Sequence, residues 1–277
     1  MNTIRLIAFD LDGTLLKDNK ELTPRTLKAL RQAAEAGISL VPTTGRLYDG
    51  VPEEIRTLPF IRYVIGANGA QVYDAREKRT IHRAEMNREE IQRFFDASQN
   101  ATAITGCYKN GKAYMSRADM DKMEAYSPGN GLFRMMRRIY LPVEDLKAFL
   151  LKSEETVQKL MLFFADLEER RRVLAHMEAA LSDLSVSSSV INNIEVNTGE
   201  ANKGAALKFL GEYLGIKREE TAAFGDGSND ITMLMEAGTG FAMKNACQEA
   251  KEAADKITLS NEEEGVAFEI ERMLQEI

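Results

Sequence analysis

Two carboxylates stand two residues apart in Asp10-Leu11-Asp12-Gly13-Thr14, directly after the apolar run Ile4 to Phe9. A second acidic cluster, Phe224-Gly225-Asp226-Gly227-Ser228-Asn229-Asp230, also follows small and apolar residues. Paired carboxylates serve as nucleophiles and general acids or bases, and they gather hard cations through oxygen. Each cluster taken alone also reads as an ordinary turn at a strand end, the second capping the helix that follows. A calcium loop starting at Asp10 is the poorer reading, because Leu15 occupies the position that needs glycine and a strand precedes it. Between the clusters, Thr43-Thr44-Gly45-Arg46 offers a hydroxyl and backbone N–H groups to an anion, or caps a helix. Lys203, in Asn202-Lys203-Gly204, opens a helical stretch, where a cation opposes the helix dipole unless an anion lies beside it.

Composition narrows the chemistry further. Only two histidines, His82 and His176, are present. A Ser-His-Asp triad or a histidine zinc site would rest on these two, and neither sits in a supporting motif. The work therefore falls to carboxylates, lysine and hydroxyls, and a metal would be a hard cation. A net charge of −7 argues against broad nucleic-acid binding, which depends on many phosphate-neutralising cations. No run reaches the roughly 18 apolar residues of a membrane span, and Met1 to Asp10 is too short and wrongly flanked for a secretory signal. Cys107 and Cys247 form no metal-ligand spacing, and the chain reads as cytoplasmic.

The clusters need elements to hold them. Ile4 to Phe9 reads as a buried parallel strand, followed by a helix opened at Thr23-Pro24 and stopped at Gly37. Strands at Ile38 to Val41 and Arg62 to Ile65 follow, the first taken to end before Pro42, whose missing N–H weakens a ladder. Alternation of this kind predicts an α/β, Rossmann-like parallel sheet. The pattern then changes: hairpins at residues 71–82 and around Lys109-Asn110-Gly111-Lys112, and a helix over Asn87 to Ser98. From Ile194 the alternation returns. The chain thus reads as a core of residues 1–82 and 191–277 with an inserted α+β domain at 83–190. Within the insertion, Arg134, Arg137 and Arg138 read as a solvated basic stretch, and Arg170 to Arg172 as an exposed helix face.

In order, Asp-x-Asp-Gly-Thr, Thr-Gly-Arg, Lys-Gly and Gly-Asp-Gly-x-Asn-Asp, each after a strand, resemble the four motifs of haloacid dehalogenase superfamily phosphatases. The large insertion resembles the cap of the Cof-type subgroup, as do Asn68-Gly69-Ala70 and Met243-Lys244-Asn245-Ala246. The resemblance implies Asp10 as nucleophile and Asp12 as acid and base. It implies Thr44, Gly45, Lys203 and Asn229 around a phosphoryl group. Mg²⁺ would be held by Asp10, the Asp12 carbonyl, Asp226 and Asp230. The substrate implied is a small phosphorylated metabolite, a sugar phosphate or cofactor phosphate, chosen by the cap. A sugar phosphomutase and a phosphometabolite sensor are the alternatives, and oligomeric state is not legible.

Overall fold

The computed structural model describes residues 3–126, 137–152 and 156–275. Its contacts divide the chain into two units, Met1–His82 with Asn202–Ile277, and Arg83–Ala201.

The first unit is built on a five-stranded sheet in the order Lys256–Ile257, Thr239–Ala242, Thr221–Gly225, Leu6–Phe9, Ser39–Pro42. Every pair is parallel. Leu6, Ile7, Ala8 and Phe9 have no exposed surface, as the continuous apolar run of a strand covered on both faces requires. Complete burial of side chains such as Leu6 and Phe9 contributes about 1.5–3 kcal/mol each. Helix Pro24–Glu35 begins as read: the Thr23 side chain accepts from the Thr26 N–H, and proline takes the first turn. No helix among the described residues is long and apolar enough to cross a membrane.

Two local expectations are corrected. The second strand runs through Pro42, in register with Phe9, and does not stop before it. The reason is alternation: Ser39 and Thr43 donate to the carbonyls of Arg5 and Phe9 at 2.8 Å, so the position between them that lacks an N–H faces away from that ladder. Strand Tyr63–Gly66 joins Gln71–Asp74 and Arg79–Arg83 in a separate three-stranded sheet. A single parallel bridge, Thr43 to Ile65, links it to the parallel sheet.

The second unit holds a six-stranded sheet in the order Ser185–Ser187, Asn193–Asn197, Lys159–Phe164, Ala103–Lys109, Lys112–Ser116, Tyr140–Val143. Leu160, Leu162 and Phe164 on one face pack with Ile91, Phe94, Leu150 and Met177 from its helices. The expected hairpin forms at Asn110 and Gly111, both with positive φ (50° and 71°). Here the expected boundary at 190 moves. Asn193–Asn197 pairs antiparallel with the strand containing Leu160 and Phe163, so the segment read as the return to the core lies in this sheet. The crossing falls at Ala201 and Asn202. Arg170 also departs from its reading: it is half-buried and donates to the Asn193 carbonyl at 2.9 Å and to Ser188 Oγ at 2.8 Å. Arg137 and Arg138 are exposed, while Arg134 lies outside the described residues.

Candidate active site

The motif residues of the first unit follow the carboxyl ends of adjacent parallel strands, where ligands gather in open α/β sheets. Asp10 ends the strand Leu6–Phe9, and its N–H donates to the Phe224 carbonyl at 3.0 Å. Asp226 follows the neighbouring strand Thr221–Gly225, and Thr44 follows Ser39–Pro42 on the other side. Lys203 is the first residue of helix Lys203–Leu214, capped by Asn202 through the Ala205 N–H.

Lys203 has no exposed surface, and its ammonium donates to Asp10 Oδ1 at 2.7 Å and Asp230 Oδ1 at 2.5 Å. The second oxygen of Asp230 accepts from the N–H groups of Asp226 and Gly227, both at 2.9 Å. Asp226 in turn accepts from the Thr14 hydroxyl at 2.7 Å. Asp10, Asp226 and Asp230 each present an oxygen within 4.8 Å of the others. The Asp12 side chain takes different partners. Arg46 grips it through Nε at 3.0 Å and Nη2 at 2.7 Å, and Lys20 reaches Oδ1 at 2.9 Å. Thr44 is buried; its hydroxyl accepts from the Arg46 N–H at 3.3 Å, and half-buried Gly45 lies between them. Asn229 donates from its side chain to Asn68 Oδ1 at 3.2 Å.

Charge within this cluster is unevenly placed. Burial, with Asp230 and Asp226 nearby, raises the Asp10 carboxyl well above the usual range although Lys203 opposes it. Burial and Asp230 push Asp226 up to about 6. Burial pulls the Lys203 ammonium down, but Asp10 and Asp230 outweigh it and raise it above the ordinary lysine value. Asp12 goes the other way: burial would raise it, yet Arg46 and Lys20 hold it below the usual carboxylate range. Three carboxylates facing one ammonium leave two negative charges, and each pair of like charges about 4 Å apart repels by roughly 4 kcal/mol at an effective dielectric near 20. An all-oxygen donor set with that residual charge fits a divalent hard cation.

The residues expected at the site all lie in the first unit. Asp10, Asp226 and Asp230 come within 4.8 Å of one another through their carboxylate oxygens, the Asp12 carboxylate is held by Arg46 and Lys20, and Thr44 and Asn229 are tied to Arg46 and Asn68. The sequence reading missed Arg46, Lys20 and Thr14 as partners of the acids. Arg46 belongs to the Thr-Gly-Arg motif, but nothing in its spacing showed that its fork would reach back to Asp12. Neither histidine enters: His82 stacks on Phe209 with ring centroids 4.4 Å apart, and His176 is exposed.

Comparison with known proteins decides the family. The model of the haloacid dehalogenase-like hydrolases matches residues 7–270. The chain belongs to that family. The phosphatase YwpJ of Bacillus subtilis is 32% identical to it, over 98% of this chain and 100% of that protein. The 5-amino-6-(5-phospho-D-ribitylamino)uracil phosphatase YcsE of the same organism is 31% identical, over 95% of this chain and 93% of that protein. Among solved structures, a haloacid dehalogenase-like hydrolase from B. subtilis superposes with a TM-score of 0.82 at 30% identity, covering 97% of this chain and 99% of that one. The family's α/β fold is therefore this chain's fold, and the Cof-type resemblance of its motifs holds across nearly its whole length.

Proposed function

We propose that this haloacid dehalogenase-like hydrolase is a magnesium-dependent phosphatase that cleaves small phosphate monoesters through an aspartyl-phosphate. The observation that carries the reading is the buried Lys203 ammonium between Asp10 and Asp230, with the Asp12 carboxylate held outside that group by Arg46 and Lys20.

An Asp10 carboxylate oxygen attacks phosphorus, and the bond from phosphorus to the ester oxygen breaks. Asp12, which Arg46 and Lys20 hold ionised in the free protein, must take up a proton from water as substrate binds before it gives that proton to the departing alcohol oxygen. A water then attacks the phosphorus of the aspartyl-phosphate, Asp12 takes the water's proton, and Asp10 is released as a carboxylate with inorganic phosphate. Arg46 and Lys20 favour Asp12 as the carboxylate required of the base in this second half. Lys203 stabilises negative charge on the transferring group, and Thr44, Gly45 and Asn229 orient its oxygens. Asp10, Asp226, Asp230 and the Asp12 carbonyl would hold Mg²⁺, which when bound would supply positive charge to offset the repulsion between an anionic nucleophile and an anionic ester.

The names of the relatives support the substrate class: one acts on a phosphorylated ribitylaminouracil, and another from Yersinia pseudotuberculosis is an HMP-PP phosphatase at 28% identity. Sugar phosphates and phosphorylated cofactors or their precursors fit this class. The test is phosphate release from p-nitrophenyl phosphate and a panel of such esters, by wild type and Asp10→Asn, with Mg²⁺ or with excess EDTA. Turnover should need both Asp10 and the metal. Substantial release in EDTA would remove the metal from the reading, and an isomerised sugar with little free phosphate would make the enzyme a mutase.

A further inference from the structure

The short loop between Tyr63–Gly66 and Gln71–Asp74 carries three consecutive residues with positive φ: Ala67 at 51°, Asn68 at 58° and Gly69 at 97°. Two of them bear a Cβ, which this region of backbone space disfavours. A strained run of this kind persists only where its surroundings fix it. The Ala67 N–H donates to the Arg46 carbonyl at 2.8 Å, and the Asn68 N–H donates to the Thr44 carbonyl at 3.1 Å. Asn68 Oδ1 accepts from the Asn229 amide at 3.2 Å. Asn68 is 3% exposed. One residue therefore touches both the loop after Ser39–Pro42 and the loop after Thr221–Gly225, the two segments that carry Thr44 and Asn229.

We propose that Asn68 is a positioning residue of the phosphate pocket, its backbone fixing Thr44 and its amide fixing Asn229 so that both meet the same phosphoryl group. The inference rests on the phosphatase reading. Its physical content is a side-chain requirement. Glycine is the least strained residue at this φ, so backbone strain alone would favour Gly at 68. Asparagine tolerates the left-handed region and adds an acceptor.

Asn68→Gly keeps the backbone and removes that acceptor. It should melt within a few degrees of wild type, strain relief offsetting the lost hydrogen bond, while KM for p-nitrophenyl phosphate and the competitive inhibition constant of inorganic phosphate both rise about tenfold. Asn229→Ala should raise the phosphate constant by a similar factor, and adding Asn68→Gly to it should change that constant by less than twofold, because the two share one effect. Phosphate binding and KM within twofold of wild type in a folded Asn68→Gly overturn the proposal. If that variant does not fold, an unchanged phosphate constant in Asn229→Ala overturns it equally. Failure of the underlying reading looks different: wild type itself would then release no phosphate in the presence of Mg²⁺.

Discussion

At the scale of single residues, the site is a problem in compensating charge. Lys203 is enclosed by Asp10 and Asp230, and deleting one member of a buried ion pair costs about 3–5 kcal/mol because the other charge is left without compensation. Lys203→Met should lower metal-free stability by that amount in urea titrations and abolish turnover. Asp226 gives a second prediction. A cation binds its ionised form, so this carboxyl's share of the Mg²⁺ affinity falls as pH drops through about 6, approaching roughly tenfold per pH unit for one displaced proton. Calorimetric titration at pH 5 and pH 7 measures this, and equal affinities would exclude Asp226 as a ligand. Without metal the sign reverses for stability. The folded carboxyl holds its proton more tightly than an ordinary one at 3.8, so this group's contribution to stability is full below 3.8 and is lost as pH rises from there through about 6. Asp10, Asp12, Lys203 and Asp226 were all visible in the sequence, because residue type and neighbours in the chain marked them. Their partners were not. Lys20 and Thr14 act through distances that only folding creates.

The elements differ in how tightly their ends are bound to the site. Gly69 and Gly215 both have positive φ, at 97° and 62°. A Cβ on Gly69 would sit 2.1 Å from the Asn202 carbonyl oxygen, whereas one on Gly215 meets nothing within 4 Å. Gly215→Ala should therefore cost only the conformational penalty, about 1–2 kcal/mol, and leave activity intact. Gly69→Ala must also push aside the residue that caps the Lys203 helix, so it should destabilise more and lower turnover together. Thermal melting with steady-state kinetics separates the two, and equal effects would deny the close approach. Helices with a capping residue were readable from sequence: Asn87 caps Arg88–Ser98 with Glu90 closing the box, as the segment Asn87 to Ser98 led one to expect. The end of the second strand was not, because a proline is read as a missing donor. Which side of the strand lacks it depends on the pairing.

For the molecule as a whole, the two units have separate apolar cores, and the metal ligands proposed all belong to the first. Added Mg²⁺ should raise the melting transition of that unit by the equivalent of about 2.7 kcal/mol at a hundredfold excess over Kd, with no direct effect on the unit Arg83–Ala201. Scanning calorimetry with and without the ion checks this, and Asp226→Asn should erase the shift. The insertion was legible as a break in strand-helix alternation. Its far boundary was not, since Asn193–Asn197 is as buried and strand-like as a core element and its ladder partner lies about thirty residues upstream. The split also orders events during synthesis. The strand leading to Asp10 lies between Ser39–Pro42 and Thr221–Gly225. On a ribosome adding about 5–20 residues per second, the second flank emerges roughly ten to forty seconds after the strand itself. Through that interval Leu6 to Phe9 has an unpaired edge, a natural client for a chaperone. A chain terminated before residue 203 carries Asp10 with neither Lys203 nor Asp226, so on the proposed mechanism such a fragment should release no phosphate, and hydrolytic power would arrive only with the last third of translation.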